Sequence, residues 1–349
     1  MPPARLQALA CAVPPHALGQ AEVAERARHL FAAVPGAEFE RLMPVFAHAG
    51  IDRRYSCVPI AWYAEPHGWV ERNALYLDHA VRLLERAARA AMARAGIAPA
   101  SVDAVVCVST TGIATPSLDA VLAGRLGLKP EVRRLPIFGL GCAGGVIGLA
   151  RAAELARAAP AANVLFLVVE LCALAFRKDD VSKSNIVATA LFGDGAAAAI
   201  LSCTGAGPAV ACAGEHIWPH SLDVMGWEVA ADGLKAVFSR DIPALVQREL
   251  RDVATAFLAR HRLALTDIAH FVCHPGGAKV ITALEAAYGL AEGTLAEARD
   301  VLREYGNMSA VTVLFVLERM LAAAPAGRML LTALGPGFSA GFLVLEPDR

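Results

Sequence analysis

Residues 138–150 read FGLGCAGGVIGLA, with a single thiol, Cys142, set among five glycines where strand-like sequence gives way to helical sequence. A glycine inside a regular element costs about 0.5–1 kcal/mol of backbone entropy relative to alanine. Such a cluster therefore marks a sharp turn or a close approach. Two readings fit the stretch: a strand-to-helix turn with a buried small residue, or a nucleophile at a helix N-terminus. At an unperturbed pKa near 8.5, about 3% of a thiol is ionised at pH 7, and half ionisation needs roughly 2 kcal/mol. A helix terminus supplies about 0.3–1 kcal/mol, and about 2 at best. The dipole alone is marginal, so a nucleophilic Cys142 calls for a histidine.

Working outward, apolar β-branched runs at 102–110 (VDAVVCVST), 163–170 (NVLFLVVE) and 195–202 (GAAAAILS) predict buried strands. Between them, 78–96 reads as an Ala/Leu/Arg-rich helix stopping at Gly96, and SLDAVLAGRLG and GVIGLARAAELARAA read as two more. Strand alternating with helix predicts an α/β protein with a mostly parallel sheet covered on both faces. The same grammar recurs later. The run 268–277 reads as an apolar strand followed by a polar turn, further strands are expected at 328–337 and 339–346, and a helix at 309–324. Two related halves are therefore expected, 1–205 with Cys142 and 206–349 with His274 and Asn307. They join near SCTGAGPAVAC (202–212). In that scheme Cys142 and Asn307 hold equivalent places, each just before a core helix. Two helix N-termini facing one site would favour an anion there.

Composition excludes several classes. The 349 residues are 56% hydrophobic and 19% charged with a formal net charge of −1, so no basic field is available for nucleic acid. The eight cysteines form no CxxC pair and lie mostly in apolar runs, the distribution of reduced thiols rather than of disulfides or a zinc site. No charge-free apolar run has membrane-spanning length and the N-terminus does not read as a signal peptide. The expectation is a cytoplasmic protein.

Among ten histidines, His216 and His220 lie four apart, but Pro219 between them argues against a helical metal pair. His270 reads as a core residue inside a strand. His274 ends an apolar strand and precedes Pro275-Gly276-Gly277, the place where open α/β sheets put ligands. Asn307, between Gly306 and the helix from Ser309, reads either as an N-cap or as an amide donor to a carbonyl oxygen.

In order along the chain, GCAGG (141–145), CHPGG (273–277), YGNMSA (305–310) and GPGFSA (335–340) together resemble the type III polyketide synthases, the chalcone synthase-like family on the thiolase fold. RRYSC (53–57), ALFGDGAAA (190–198) and WPHSLDVMGWEV (218–229) support the resemblance, which covers nearly the whole chain. It implies a thiolase-like fold of two pseudo-duplicated halves in five α-β-α-β-α layers. It also implies catalysis by Cys142, His274 and Asn307: Cys142 takes an acyl starter, His274 stabilises its thiolate, and His274 with Asn307 holds the malonyl-CoA carbonyl while CO2 leaves. No metal and no redox cofactor is implied. A homodimer is, with acyl-CoA and malonyl-CoA as small-molecule partners and an acyl carrier protein as a further acyl source.

The resemblance also marks a substrate pocket. Phe192 matches a gatekeeper phenylalanine, and the second gatekeeper falls on Ala236 or the nearby Phe238. Cys172 and Ala175 stand where chalcone synthases carry threonines, and Ser309 keeps a third pocket position. Thr111 and Thr115 belong to the following loop, with Thr115 matching a residue that reaches into the partner's cavity. Gly335, Pro336 and Gly337 match the cavity roof, and Arg53 and Arg54 fall in the region of CoA phosphate contacts. Small residues at 172, 175 and 236 imply a longer apolar pocket and a long-chain fatty acyl starter. The 218–229 segment resembles alkylresorcinol and alkylpyrone synthases. A single-condensation β-ketoacyl carrier-protein synthase and a small-starter polyketide synthase are the alternatives.

Overall fold

A computed structural model describes residues 2–32, 39–239 and 241–348. Thirteen strands occur among them: β1 (Arg5–Ala12), β2 (His16–Gly19), β3 (Arg53–Ser56), β4 (Val102–Val108), β5 (Arg133–Ile137), β6 (Asn163–Leu171), β7 (Asp194–Ser202), β8 (Ala209–Ile217), β9 (Met225–Ala230), β10 (Gly233–Phe238), β11 (Ile268–Cys273), β12 (Arg328–Gly335) and β13 (Ser339–Glu346). Nine form one sheet in the order β11-β12-β13-β8-β1-β7-β6-β4-β5, while β9-β10 and β2-β3 are separate pairs. Residues 203–208 link the halves, and at their seam β1 and β8 share one register pair, Arg5–Ala209.

The helices Gly144–Ala158 and Thr312–Ala322 contact strands of both half-sheets and form the middle layer. Trp69–Ala95 covers β1, β6 and β7 from outside. On the other half, Phe257 of the helix Ile242–Arg260 stacks on Phe342 of β13 with ring centres 5.2 Å apart. The middle helices are sandwiched at their N-terminal ends, so charge is confined to their later turns, Arg151, Glu154 and Arg157 on one and Glu318 and Arg319 on the other. Val146, Leu149, Ala153, Val313, Leu314 and Leu317 are all fully buried. Two-sided burial is why residues 144–150 and 312–317 lack a polar stripe.

Three expectations need correction. The sheet is mixed rather than mostly parallel: β4-β5, β4-β6 and β11-β12 are parallel, while β1-β7, β6-β7, β12-β13, β8-β13 and β1-β8 are antiparallel. Between β12 and β13 lie only residues 336–338, too few for a crossover. The helix between β6 and β7, Lys183–Leu191, packs on the helix Gln20–Ala32 and on β10 instead of crossing the sheet. The helix expected at 78–96 begins at Trp69 behind an extended Gly68, although it does stop at Gly96 with φ +67°. The strand expected to run to 110 stops at Val108, and the one expected to end at His274 stops at Cys273, which frees Thr110, Thr111 and His274 for side-chain work.

Candidate active site

The glycine cluster has a packing reason. A short turn, Gly141–Ala143, leads into the helix Gly144–Ala158, and Cys142 is buried at their junction. A Cβ at Gly145 would lie 2.1 Å from the Ala310 carbonyl oxygen, and one at Gly144 would lie 3.3 Å from the Ala310 Cβ. Gly141, at φ +47°, leaves room for the Pro336 ring, which a Cβ would meet at 2.5 Å. The start of one core helix thus lies against the start of the other, and the 335–337 turn closes over both.

Asn307 is fixed from both halves. Its backbone N–H donates to Leu191 O at 2.8 Å, and Gly193 N–H donates to Asn307 O at 3.0 Å, an isolated bridge beside Phe192. Its side-chain Nδ2 donates to Gly276 O at 3.1 Å, and its Oδ1 accepts from Ser309 N at 2.8 Å. The local capping bond and an available amide proton therefore coexist, since Nδ2 carries two hydrogens. Ser309 stands at φ +48°, a left-handed conformation costing about 1–3 kcal/mol for a residue with a Cβ.

His274 follows β11, its backbone N–H donating to Thr332 O at 2.8 Å. Both ring nitrogens are buried without a hydrogen-bond partner among the described residues, and burial alone pushes the imidazole down to about 4. Its ring lies 3.8 Å from where a Gly276 Cβ would stand, so it neighbours the carbonyl that Asn307 binds. Burial pushes the Cys142 thiol up to about 11, and the charge of Glu170 adds to this. A hydrogen-bonding contact with the Ser309 side chain works the other way. The helix terminus is outweighed, and each group taken alone is neutral at pH 7. Cys142, Ser309, Asn307, Gly276 and His274 thus form one connected cluster drawn from both halves.

The expected pocket residues divide. Phe192 is buried, with ring centres 6.0 Å from Trp227 and 5.6 Å from Phe238, and shares an apolar cluster with Cys172, Ala188 and Ala236. Phe238 supplies the aromatic contact while Ala236, two residues earlier on β10, keeps the wall low. Behind Phe192 and Cys172 lies a small apolar cavity of about 60 Å³, partly open to solvent, walled by Leu18, Val23, Ala27, Ile60 and Phe176. Ala175 ends the turn Cys172–Ala175 and lies outside this lining. Thr111 is a positioning residue whose Oγ1 accepts from Leu171 N at 2.9 Å. Thr115, joined to Pro116 by a cis peptide, is exposed on a surface groove with Leu77 and Val121, away from the Cys142 cluster. Gly335 fits against Leu140 O, which a Cβ would meet at 2.5 Å, and Gly337 has φ +125°.

Arg53 is half-exposed and pairs with Glu304 at 3.7 Å, so its guanidinium is open to solvent. Arg54 is not. It is 2% exposed, and its terminal nitrogens donate to the carbonyls of Thr189, Ala190 and Phe192 and to Gln20 Oε1. It closes the C-terminus of the helix Lys183–Leu191, where a cation meets the unsatisfied carbonyls.

Sequence reading missed Glu170. It is fully buried at the end of β6, with Oε2 accepting from Thr110 N at 3.0 Å and Oε1 unpartnered. Burial pushes it up to about 8 despite hydrogen bonds from Thr110 and Thr111. Thr110 Oγ1 in turn accepts from Gly141 N at 3.2 Å, which ties the carboxyl group to the turn that carries Cys142. The signal was a lone acid closing the apolar run NVLFLVVE. No cluster of three or more His, Cys, Asp or Glu among the described residues is placed to hold a metal.

The family model for chalcone and stilbene synthases matches residues 61–208 with its N-terminal domain and 209–345 with its C-terminal domain. The chain belongs to this family. It is a type III polyketide synthase, an acyltransferase on the thiolase-like fold. A putative chalcone synthase from Bacillus subtilis is 39% identical over 97% of both chains. A 1,3,6,8-tetrahydroxynaphthalene synthase from Streptomyces peucetius subsp. caesius is 38% identical over 96% of this chain and 91% of its own. The crystal structure of the tetrahydroxynaphthalene synthase from Streptomyces coelicolor A3(2), a bacterial type III polyketide synthase, superposes with a TM-score of 0.94 at 27% identity, covering 99% of both chains.

Proposed function

We propose that this synthase extends a long-chain fatty acyl starter with malonyl-CoA and cyclises the product to an alkylpyrone or alkylresorcinol. The observation that carries the starter is the apolar cavity behind Phe192 and Cys172. Cys142 gives its proton to His274 as its sulfur attacks the acyl-CoA carbonyl, and the CoA thiolate leaves with that proton. Malonyl-CoA then loses CO2, and the electron pair of the broken C–C bond moves into a thioester enolate. His274 and the spare Asn307 N–H donate to the enolate oxygen, a role in which one donor is worth about 2.7–4 kcal/mol. The enolate carbon attacks the acyl-Cys142 carbonyl and expels the Cys142 sulfur. The lengthened chain, now on CoA, returns to Cys142 for the next round. The residues that do this are all the chain's own, so the reading needs no cofactor. An acyl carrier protein is an alternative source of the starter.

The synthase works as a cytoplasmic homodimer in this reading. Support comes from the open edge of β5, whose Leu135 is exposed, and from exposed Ile113 and Phe138. Such an edge strand is otherwise an aggregation hazard. No helix among the described residues is long and apolar enough to cross a membrane. The 38% identity to a tetrahydroxynaphthalene synthase favours a second reading, in which the starter is small. The test is product analysis across acyl-CoA starters of increasing length, with mass spectrometry of the protein. Alkylated pyrones or resorcinols and an acyl adduct on Cys142, absent in Cys142→Ala, are expected. An adduct elsewhere, or turnover confined to short starters, would sink the reading.

A further inference from the structure

The cavity behind Phe192 has few polar side chains, and nearly all of them are engaged. Tyr63 Oη bonds Ser56 Oγ at 2.7 Å, and Thr189 Oγ1 donates to Asn185 O at 2.7 Å. Arg54 is tied to three carbonyls and Gln20, with its Nε alone unbonded and sealed from solvent. The exception is Arg26, on the helix Gln20–Ala32. It lines the same cavity and is exposed. A long cation at such a place lays its methylene stem along the apolar wall and keeps its guanidinium in water. Arg26 makes no hydrogen bond or ion pair with any other described residue, and the adjacent Glu25 lies 3.9 Å from His29. An apolar cavity with one guanidinium unpaired among the described residues at its exposed edge is complementary to an alkyl chain that carries a carboxylate.

We infer that Arg26 reads the far end of the chain in this cavity and selects for a carboxylate there. This rests on the reading that an acyl chain passes Phe192 into the cavity. The carboxylate has two sources. It is the ω-carboxyl of an acyl group whose other end is the thioester on Cys142, or the headgroup of a free fatty acid entering from the surface. The guanidinium matches either, because its fork presents paired N–H donors to two carboxylate oxygens.

The experiment uses the intact protein, Arg26→Leu and Arg26→Glu. One arm measures kcat/KM for hexadecanoyl-CoA and for the mono-CoA thioester of hexadecanedioic acid and takes their ratio. A second titrates free hexadecanoate by calorimetry. Arg26→Leu is expected to lower the preference for the ω-carboxyl starter, or the affinity for the free acid, by about two- to fivefold. Arg26→Glu should lower it further. A change in the first arm assigns the acyl source and a change in the second the free acid. Both measures unchanged in both variants would overturn the inference. Failure of wild-type protein to use hexadecanoyl-CoA would instead sink the long-chain reading, and the calorimetric arm still tests Arg26 alone.

Discussion

The turn at Gly141–Gly145 and the turn at Gly306–Ala310 start the two middle helices, and they are built in opposite ways. The first holds three glycines and a single reactive side chain. The second keeps its side chains and places Ser309, not a glycine, at φ +48°. The difference is mutual: Gly145 faces Ala310 O and Gly144 faces the Ala310 Cβ, so one turn gives up its Cβ atoms where the other needs the space. A duplicated framework supplies two helix N-termini, but two copies of either turn would not fit. One turn seats the Cys142 thiol, and the other carries the Asn307 amide and the Ser309 contact.

That division can be broken from the donor side first. Asn307→Ala should lower condensation by about 100- to 1,000-fold, the worth of one oxyanion donor. Acyl transfer to Cys142 should fall much less, because the backbone bonds of residue 307 to Leu191 and Gly193 remain. Rapid-quench assays of loading and of malonyl-CoA decarboxylation separate the two, and equal losses would refute the split. Gly145→Ala should next cost about 3 kcal/mol, seen as a lower denaturation midpoint, because its Cβ meets a backbone oxygen at 2.1 Å. Unchanged stability would mean that the helix starts do not need their contact.

The smallest effect sharpens the comparison. Ser309→Gly should relieve the left-handed conformation and raise stability by about 1 kcal/mol. It also removes the contact that favours the thiolate, so the Cys142 titration should move above its value of about 11. The rate of Cys142 alkylation by iodoacetamide against pH reads this directly. In the wild type that rate should climb through the alkaline range. A plateau from pH 6 would instead show a standing thiolate–imidazolium pair.

The sequence made much of this legible, unevenly. Cys142, His274 and Asn307 stood out because each interrupts regular apolar sequence with glycine or proline nearby. Phe192 was marked by its motif. Glu170 was overlooked because one acid at a strand end looks like an ordinary strand terminus, and burial from Thr110, Thr111 and Cys142 is invisible along the chain. Arg54 was misassigned because adjacent arginines read alike. Strand alternation puts Arg53 outward and Arg54 inward, but only the packing of the helix Lys183–Leu191 on β3 gives the inward one its acceptors. The helix Gln20–Ala32 gave no sign that it walls a cavity, since an amphipathic pattern does not say what its apolar face meets.

The sequence by itself determined the alternation of strands and helices, the two halves and the glycine-flanked thiol, because these rest on local periodicity and backbone permissiveness. The tertiary structure decided strand direction, the contact between the two helix starts and the protonation of the site. Those depend on what each group is buried against. The glycines around Cys142 admit the second helix, and the burial that this contact creates pushes the thiol toward its neutral form.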